Sequence, residues 1–279
     1  MRSRPITCRL SHPTQNSLLA ALPESDFARL APHLIEVAMP LGEMLYQPGS
    51  PLEVAYFPTT AVVSLHYVLE SGDSAETAVV GYEGVVGAAL LIGGHTAYSS
   101  AAVQIAGYGY RLSATYLRQE FEQTQAMHRL LLQYLQALIV QSTQIAVCNR
   151  HHAVEQQICR WLLSTLDRVR TTEIIVTQEM IAIALGVRRE SVSEAASMLQ
   201  RAGVIQCQRG RIRVLDRSEL ERGVCECYGV VRHETGRLLN RSAGWSPHGF
   251  IRNLPADRRF EMSTPPRALV SAGVNVAAT

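Results

Sequence analysis

The segment Glu120–Arg150 constrains the fold of this chain most, because it contains neither glycine nor proline and is long enough for one continuous helix. Apolar residues recur along it at alternating spacings of four and three, which is the heptad repeat of a coiled-coil seam. The predicted seam consists of Met127, Leu131, Tyr134, Leu138, Gln141 and Ile145. We therefore predict a dimerisation helix over residues 120–150.

A second apolar stripe accompanies this seam, since Leu130, Leu135 and Ile139 lie beside it. A helix that is apolar on two sides can bury one side on its own domain and the other on a second copy of the chain. The alternative is a core helix that packs on its own domain alone. The heptad spacing favours the dimer.

The middle of this helix also has the length and lack of charge of a membrane span, over residues 130–149. It is interrupted by Gln133, Gln136, Gln141 and Gln144. Because amide side chains are costly in the hydrocarbon core, we predict no membrane partner. Met1–Arg9 has charged residues and no apolar signal-peptide core, so we predict a cytoplasmic location.

Residues 33–112 follow a different pattern, in which short apolar and β-branched runs alternate with turn residues. The turns include Pro48-Gly49 and Ser71-Gly72-Asp73. Many short strands with this punctuation are typical of an antiparallel β-roll rather than of βαβ units. We predict an α+β protein with a jelly-roll-like β-roll at residues 17–119, which begins with a helix, and a flexible N-terminus at residues 1–16.

Charge is distributed unevenly along the chain, although its net charge is only +2. All 26 basic residues are arginine. Residues 1–148 have a net charge of −4, whereas residues 149–222 and 223–279 each have a net charge of +3. A basic C-terminal half indicates a polyanionic partner.

The stretch from Thr177 to Val192 is typical of a helix-turn-helix. Thr177 is a suitable N-cap residue, and Gln178 follows it in the first helical turn. Ala182 is small where two helices must cross closely, and Gly186, four positions later, supplies the positive φ of a tight turn. Val192 then packs the second helix on the first.

The second helix of this motif begins with arginines, and a predicted hairpin follows it. Arginine at such a helix start can form two hydrogen bonds with guanine, and glutamate can accept one from cytosine. The hairpin is expected to place arginines over the DNA backbone as a wing. The predicted DNA contacts are Thr177, Gln178, Arg188, Arg189, Glu190, Ser191, Ser193, Arg209, Arg211 and Arg213. This winged helix-turn-helix domain is predicted at residues 151–222, a C-terminal helix at 223–239 and a disordered tail at 240–279.

A glycine-punctuated β-roll, a long helix and a winged helix containing Arg189-Glu190-Ser191-Val192 together resemble the Crp–Fnr superfamily of bacterial transcription regulators. The resemblance covers about residues 17–222. It implies a homodimer that binds a double-stranded DNA operator, with RNA polymerase as a further partner, and it implies that Arg189 and Glu190 read bases. Glu194 stands where the family's recognition helix has a second arginine, so the operator sequence is expected to differ.

The nucleotide-binding residues of that family are not matched. Its cyclic-nucleotide-binding members hold the ribose with a glutamate and the cyclic phosphate with an arginine, where this chain has Ala88 and Ser99. Losing the charge partner of a buried anion costs about 2–5 kcal/mol. The corresponding effector pocket, at Gly87, Ala88, Ser99 and Ser100, is therefore predicted to be degenerate. We expect no cyclic AMP binding, and the effector is unknown.

The six cysteines, at positions 8, 148, 159, 207, 225 and 227, do not follow a disulfide framework. An oxygen-sensing iron–sulfur member of the family would need a cysteine cluster near the N-terminus, where only Cys8 is present. Cys225-Glu226-Cys227 with His233 is a candidate metal clip, but two thiols spaced in this way on a helix point to different faces. His151-His152 is interpreted as a solvated helix start. We predict no metal and no cofactor.

No catalytic residues are predicted, because the sequence has no Gly-x-Ser-x-Gly motif, no lysine for a nucleotide-binding loop and no paired carboxylates in a plausible groove. The chain is predicted to be a sequence-specific DNA-binding transcription regulator and not an enzyme. The alternative is a dimeric β-roll module whose C-terminal helical domain binds a protein partner.

Overall fold

A computed structural model of the chain describes residues 12–238, which belong to one compact unit. Its N-terminal part begins with the short helices α1 (Ser17–Ala20) and α2 (Glu24–Leu30), and antiparallel strands follow. The strands are β1 (Ile35–Met39), β2 (Met44–Tyr46), β3 (Val54–Pro58), β4 (Val62–Val68), β5 (Ser74–Val80), β6 (Ser100–Ile105) and β7 (Gly107–Ser113). They form two sheets with the strand orders β1-β7-β3 and β2-β6-β4-β5. The predicted α+β class with an antiparallel roll is confirmed.

The interior of the roll is apolar because side chains alternate across its strands. In β3, Ala55 and Phe57 are buried in a cluster that also contains Leu112 of β7 and Leu90. The helices α1 and α2 add buried leucines to the same cluster. The interior of the roll around Phe57 and Leu112 is therefore filled by apolar side chains.

Residues 12–16 are ordered, contrary to the prediction of a flexible N-terminus. The side chain of Asn16 is fully buried, and its Nδ2 donates hydrogen bonds of 2.9 Å to the carbonyl oxygens of Pro58 and Gly84. Its Oδ1 accepts hydrogen bonds from the backbone N–H groups of Leu18 and Leu19 in α1. Asn16 thereby fixes the beginning of α1 to the roll. The predicted flexibility of residues 1–11 concerns positions outside the described residues.

Two helices follow the roll, α3 (Ala114–Gln123) and α4 (Gln125–His151). The Ser113 hydroxyl accepts a hydrogen bond of 3.2 Å from the backbone N–H of Tyr116 and caps α3. Thr124 has extended backbone angles and separates the two helices. The helix predicted at residues 120–150 is therefore the end of α3 and nearly all of α4.

The predicted dimer seam of α4 faces the chain's own roll, so the prediction chose the wrong side of the helix. Leu131 is fully buried in the roll cluster, and the Tyr134 hydroxyl donates a hydrogen bond of 3.0 Å to the Val85 carbonyl oxygen. The side-chain oxygen of Gln141 accepts a hydrogen bond of 3.1 Å from the backbone N–H of Val79. Met127 and Ile145 are also buried, and Leu138 is partly buried. These side chains are occupied within one chain and are not free to meet a partner.

The opposite side of α4 is also apolar, and it is exposed. Ile139 is 65% exposed, Leu132 45% and Val147 44%. Leu135 is partly buried and Ala146 is exposed on the same side. We call this surface the outer face of α4; it consists of Leu132, Leu135, Ile139, Ala146 and Val147.

Helix α4 is long and apolar enough to cross a membrane by length and composition alone. Core helices of water-soluble proteins also meet that criterion. In this fold one side of α4 lies in the core of the roll, and two of its polar side chains hydrogen bond to roll backbone. The helix is accounted for by this packing.

The C-terminal part is a winged helical domain. Its elements are α5 (Val154–Leu166), β8 (Glu173–Ile175), α6 (Gln178–Leu185), α7 (Arg189–Arg201), β9 (Ile205–Gln208), β10 (Arg211–Val214), α8 (Arg217–Gly223) and α9 (Glu226–Leu238). The three strands form an antiparallel sheet with the order β8-β10-β9. The C-terminal helix predicted at residues 223–239 begins at Glu226, because residues 224 and 225 separate it from α8. The predicted tail at residues 240–279 lies outside the described residues.

A buried ion pair connects the roll to the helical domain. Nε of Arg168 lies 2.6 Å from a carboxylate oxygen of Glu83, and each side chain is 7% exposed. Arg168 also donates to the Ser164 carbonyl oxygen at 2.7 Å. A Cβ at Gly81 would lie 2.9 Å from both Arg168 and Glu83, so glycine permits this close approach. Removing one partner of such a pair costs about 3–5 kcal/mol, because the other charge stays buried alone.

A buried carboxyl group on β5 makes the stability of the chain depend on pH. Burial raises the pKa of Glu76 to about 7 from its ordinary 4.5, against the opposing hydrogen bond from the Ser64 hydroxyl. Between these two pH values the folded chain holds a proton that the unfolded chain releases. The free energy of unfolding therefore decreases as pH rises through this window, by about 3 kcal/mol from this group.

We predict that Glu76→Gln removes this contribution and is more stable than the wild type at pH 8. The free energy of unfolding, measured by denaturant titration at pH 5 and pH 8, checks the prediction. Glu70→Gln, at an exposed position on the roll, is the matched control and should keep the wild-type pH dependence. An unchanged pH dependence in Glu76→Gln would contradict it.

Candidate nucleic-acid interface

Helices α6 and α7 form the predicted helix-turn-helix. The Thr177 hydroxyl accepts a hydrogen bond of 3.2 Å from the backbone N–H of Met180 and caps α6, which begins at Gln178. Gly186 ends α6 with φ of +66°, a conformation that favours glycine. Val192 of α7 is fully buried in the core of the domain, as the spacing predicts.

The beginning of α7 presents polar and charged side chains to solvent. Arg188 is the N-cap residue and Arg189 the first helical residue. Arg189 is 66% exposed, and its Nε lies 4.0 Å from a carboxylate oxygen of Glu179 in α6. Glu190 is exposed, and Ser191 and Ser193 are partly buried. The predicted base-reading residues therefore share the exposed N-terminal turn of one helix.

The strands β9 and β10 form the wing, with Arg209 and Gly210 at its turn. The side chains of Arg211 and Arg213 extend from β10 to Glu173 of β8, with closest N–O distances of 2.9 Å and 2.6 Å. Hydrogen bonds from these two arginines lower the pKa of Glu173, which stays ionised. Within residues 12–238, Arg209 is the wing arginine without an ion pair to an acidic side chain.

A groove of about 480 Å³ separates the wing from the start of the helix-turn-helix. It brings together five of the ten predicted contacts, from the wing and from both helices, although they are distant in sequence. Its polar lining includes Thr177, Gln178, Glu179, Arg189, Gln208, Arg209 and Arg211. Arg188, Glu190, Ser191, Ser193 and Arg213 do not line it.

Two acidic residues of this surface, Glu173 and Glu179, were not predicted from the sequence. Glu179 was visible only as an acidic residue in the first turn of α6, which is favourable at any helix N-terminus. Glu173 reaches the wing arginines because β8 pairs with β10, so Arg213 lies opposite Glu173 in the sheet. Strand pairing of this kind has no local signal in the sequence.

The positions predicted for an effector pocket carry no charge. Gly87 has φ of +95° and begins the short 3-10 turn Ala88–Ile92. Ala88 is buried in the apolar cluster of the roll. Ser99 lies beside Tyr46, and burial raises the pKa of Tyr46 to about 12, so both side chains are neutral at pH 7. This arrangement supplies no charged partner for a cyclic phosphate.

Ser100, the last residue of that predicted pocket, is buried in the second sheet of the roll. It pairs with His66 of β4 in the antiparallel ladder. Burial lowers the pKa of His66, so its imidazole is neutral at pH 7. The pair therefore adds no positive charge to the pocket.

The geometry of Cys225 and Cys227 corrects the argument made from their spacing. Cys225 lies before α9 and Cys227 in its first turn, so the two thiols are not on different faces of a helix. Both are buried, and together with Cys148 and His152 they place four ligand atoms within 4.8 Å of one another. His152 is the C-cap residue of α4 rather than a solvated helix start. These residues have the composition of a metal site.

Residues 156–222 match the family model of the Crp-like helix-turn-helix domain. No curated protein sequence matches the chain.

Several solved structures share the fold. FixK2 from Bradyrhizobium japonicum is 18% identical, and the match covers 69% of this chain and 98% of FixK2 with a TM-score of 0.60. A CRP-family transcriptional regulator from Thermus thermophilus is 23% identical over 68% of this chain and 95% of its own, with a TM-score of 0.56. The c-di-GMP responsive global regulator CLP of Xanthomonas campestris is 18% identical over 70% and 100%, with a TM-score of 0.56.

The family model covers the domain that contains the exposed arginine helix and the wing, and the three structural matches cover 68–70% of this chain and at least 95% of each solved chain. Residues 156–222 thus form a Crp-like helix-turn-helix domain, and the chain has the fold of the Crp–Fnr family of transcription regulators.

Proposed function

We propose that this chain is a sequence-specific DNA-binding transcription regulator that acts as a homodimer, with α7 in the major groove. The observation that carries the proposal is the exposed Arg189 at the start of α7, next to the groove below the wing. The Crp-like domain match supports it. In this proposal the protein acts on DNA in the cytoplasm, and RNA polymerase is a further partner.

Base recognition is assigned to the first turn of α7. Arg189 has the exposure and the free guanidinium face to form two hydrogen bonds with guanine O6 and N7, and Glu190 can accept from cytosine N4. The contact between Arg189 and Glu179 is 4.0 Å long and exposed, so it limits the side chain only weakly. Glu194, one turn later, is exposed and adds a negative charge that disfavours a close phosphate.

Contact with the DNA phosphate backbone is assigned mainly to Arg209 at the tip of the wing. Arg211 and Arg213 share the carboxylate of Glu173, so part of their charge is neutralised within the protein. Arg209 has its full charge available for a phosphate. The Thr177 hydroxyl accepts a hydrogen bond as the cap of α6 and keeps its O–H to donate to a phosphate, and Thr177 and Gln178 both line the groove.

The dimer contact is assigned to the outer face of α4. Leu132, Leu135, Ile139 and Ala146 keep the heptad register of the buried side, at steps of three, four and seven residues, and Ile139 is 65% exposed. An exposed apolar stripe on a long helix is stabilised by packing against a second copy of itself. A twofold dimer of this kind presents two copies of α7 to successive turns of the major groove.

The first prediction for this function concerns Arg189. Arg189→Ala should weaken binding to a duplex selected by the wild type by about 1–3 kcal/mol and relax the preference at one base pair per half-site. Arg209→Ala should instead weaken binding to all sequences alike. It should also reduce the slope of the logarithm of the binding constant against the logarithm of the salt concentration by about one, the contribution of one phosphate contact. Fluorescence titration of selected and random duplexes at several salt concentrations measures both effects.

Arg201→Ala is the matched control, because Arg201 is exposed at the opposite end of α7. It should keep the sequence preference. If Arg189→Ala weakens binding to selected and to random DNA by the same factor, Arg189 does not read bases.

A second prediction separates the two sides of α4. Ile139→Asp places a charge on the outer face and should convert a dimer into a folded monomer, as measured by sedimentation velocity at micromolar concentration and by circular dichroism. Leu131→Asp, at a fully buried position, should instead destabilise the roll. Leu69→Asp, at an exposed apolar position on the roll, is the control and should stay dimeric. A monomeric wild type, or a dimeric Ile139→Asp, would contradict the assignment.

A third prediction concerns the roll. Because its pocket positions are uncharged, isothermal titration calorimetry with cyclic AMP and cyclic GMP should show no binding tighter than about 10 μM, which corresponds to about −7 kcal/mol. The affinity for DNA should be the same with and without either nucleotide. Tighter binding of either one would show that backbone groups of the roll can hold a cyclic phosphate without an arginine.

A further inference from the structure

Three cysteines and one histidine meet where the long helix α4 ends and the last helix α9 begins. Cys148 lies in the last turn of α4, His152 is its C-cap residue, and Cys225 and Cys227 lie at the start of α9. Their four ligand atoms lie within 4.8 Å of one another. The three cysteines are buried and His152 is partly buried. Helix packing alone brings these residues together from two regions far apart in the sequence.

We propose that Cys148, His152, Cys225 and Cys227 form a tetrahedral site for a thiolate-preferring divalent metal ion, with Zn²⁺ as the expected occupant. Three thiolates and one imidazole are a common ligand set of structural zinc sites. Soft sulfur ligands disfavour Mg²⁺ and Ca²⁺, which bind oxygen.

The distances within the cluster agree with that geometry. The Sγ atoms of Cys148 and Cys225 are 3.5 Å apart, and Sγ of Cys227 is 3.6 Å from Nδ1 of His152. In a tetrahedral site with ordinary zinc–ligand bond lengths, two sulfurs lie about 3.8 Å apart and a sulfur and a nitrogen about 3.6 Å apart. These two separations lie within about 0.3 Å of the tetrahedral values, and no pair is more than 4.8 Å apart, so shifts of at most about 1 Å would bring the four atoms around a zinc ion.

The other nitrogen of His152 also has a suitable partner. Its Nε2 lies 3.4 Å from a carboxylate oxygen of Glu226. Metal-bound histidines commonly donate their second N–H group to a carboxylate, which fixes the tautomer and the orientation of the ring. Glu226 would hold His152 with Nδ1 directed at the metal.

Arg160 of α5 supplies the charge balance of the proposed site. Its guanidinium is buried, and its Nε donates a hydrogen bond of 3.2 Å to Sγ of Cys148. Three thiolates, a neutral imidazole and a divalent ion carry a net charge of −1, which one arginine neutralises. As each sulfur binds the metal, its thiol proton passes to solvent, so no oxidant or reductant is required. Arg160 would place α5, the first helix of the DNA-binding domain, against the metal site.

The test uses the full chain, purified under reducing conditions with a chelator and then titrated with Co²⁺. One Co²⁺ per chain should bind and give the thiolate-to-cobalt charge-transfer band and the d–d bands of a tetrahedral site. Zn²⁺ should then displace it, because zinc binds such ligands more tightly than cobalt. Absence of these bands in the folded, reduced wild type would overturn the proposal.

Four variants locate the site. Cys227→Ser should lose about a third of the charge-transfer intensity, and His152→Gln should keep that intensity but alter the d–d bands. Glu226→Gln, at an exposed side chain that does not threaten folding, should weaken Co²⁺ binding by about tenfold. Cys207→Ser, in the wing and outside the cluster, is the control and should match the wild type.

The following outcomes would contradict the proposal of a metal site. A Cys207→Ser variant that loses as much charge-transfer intensity as Cys227→Ser would overturn the proposal. Unaltered cobalt binding in both Glu226→Gln and His152→Gln would overturn it as well. A disulfide between Cys148 and Cys225 that persists in the wild type under the reducing conditions would also overturn it, because a disulfide leaves too few thiolates.

Discussion

The packing of one side of α4 into the β-roll determines the arrangement of the rest of the molecule. Leu131 fills the apolar cluster, while Tyr134 and Gln141 satisfy backbone groups of the roll at 3.0 Å and 3.1 Å. An unsatisfied buried backbone group costs about 1–3 kcal/mol, so these two polar side chains define the rotation of the helix as strongly as the leucines do. Once that side is buried, the outer face and its exposed Ile139 must point away from the roll.

The same helix determines where the DNA-binding domain is held. α9 packs along α4, the cysteine cluster lies at their junction, and Arg160 connects that cluster to α5. The buried pair of Glu83 and Arg168 joins the roll to the same domain from another direction. The Glu83–Arg168 pair and the contact of Arg160 with Cys148 involve charged groups in poorly solvated positions. The geometry of these two contacts is therefore restricted more than that of an apolar contact of equal area.

Sequence patterns predicted the elements whose signals are local. The strands of the roll are bounded by turn residues, and the helix-turn-helix is defined by Thr177, Gly186 and Val192, each of which has the predicted role. The side of α4 was predicted wrongly because both of its stripes are apolar with the same heptad spacing. The spacing shows that a helix has two apolar sides, but only packing distinguishes the side that contacts the roll.

Features made by contacts between distant segments were beyond the sequence. Glu173 reaches Arg211 and Arg213 only through strand pairing, and Cys148 meets Cys225 only because α9 packs on α4. The central claim is that two copies of α7 read DNA from a dimer built on the outer face of α4. Sequencing of duplexes that the wild type selects from a random library tests it most directly. The account predicts an inverted repeat whose half-sites are centred about one helical turn, roughly 10–11 base pairs, apart. No enriched motif, or a single half-site without a symmetric partner, would contradict it.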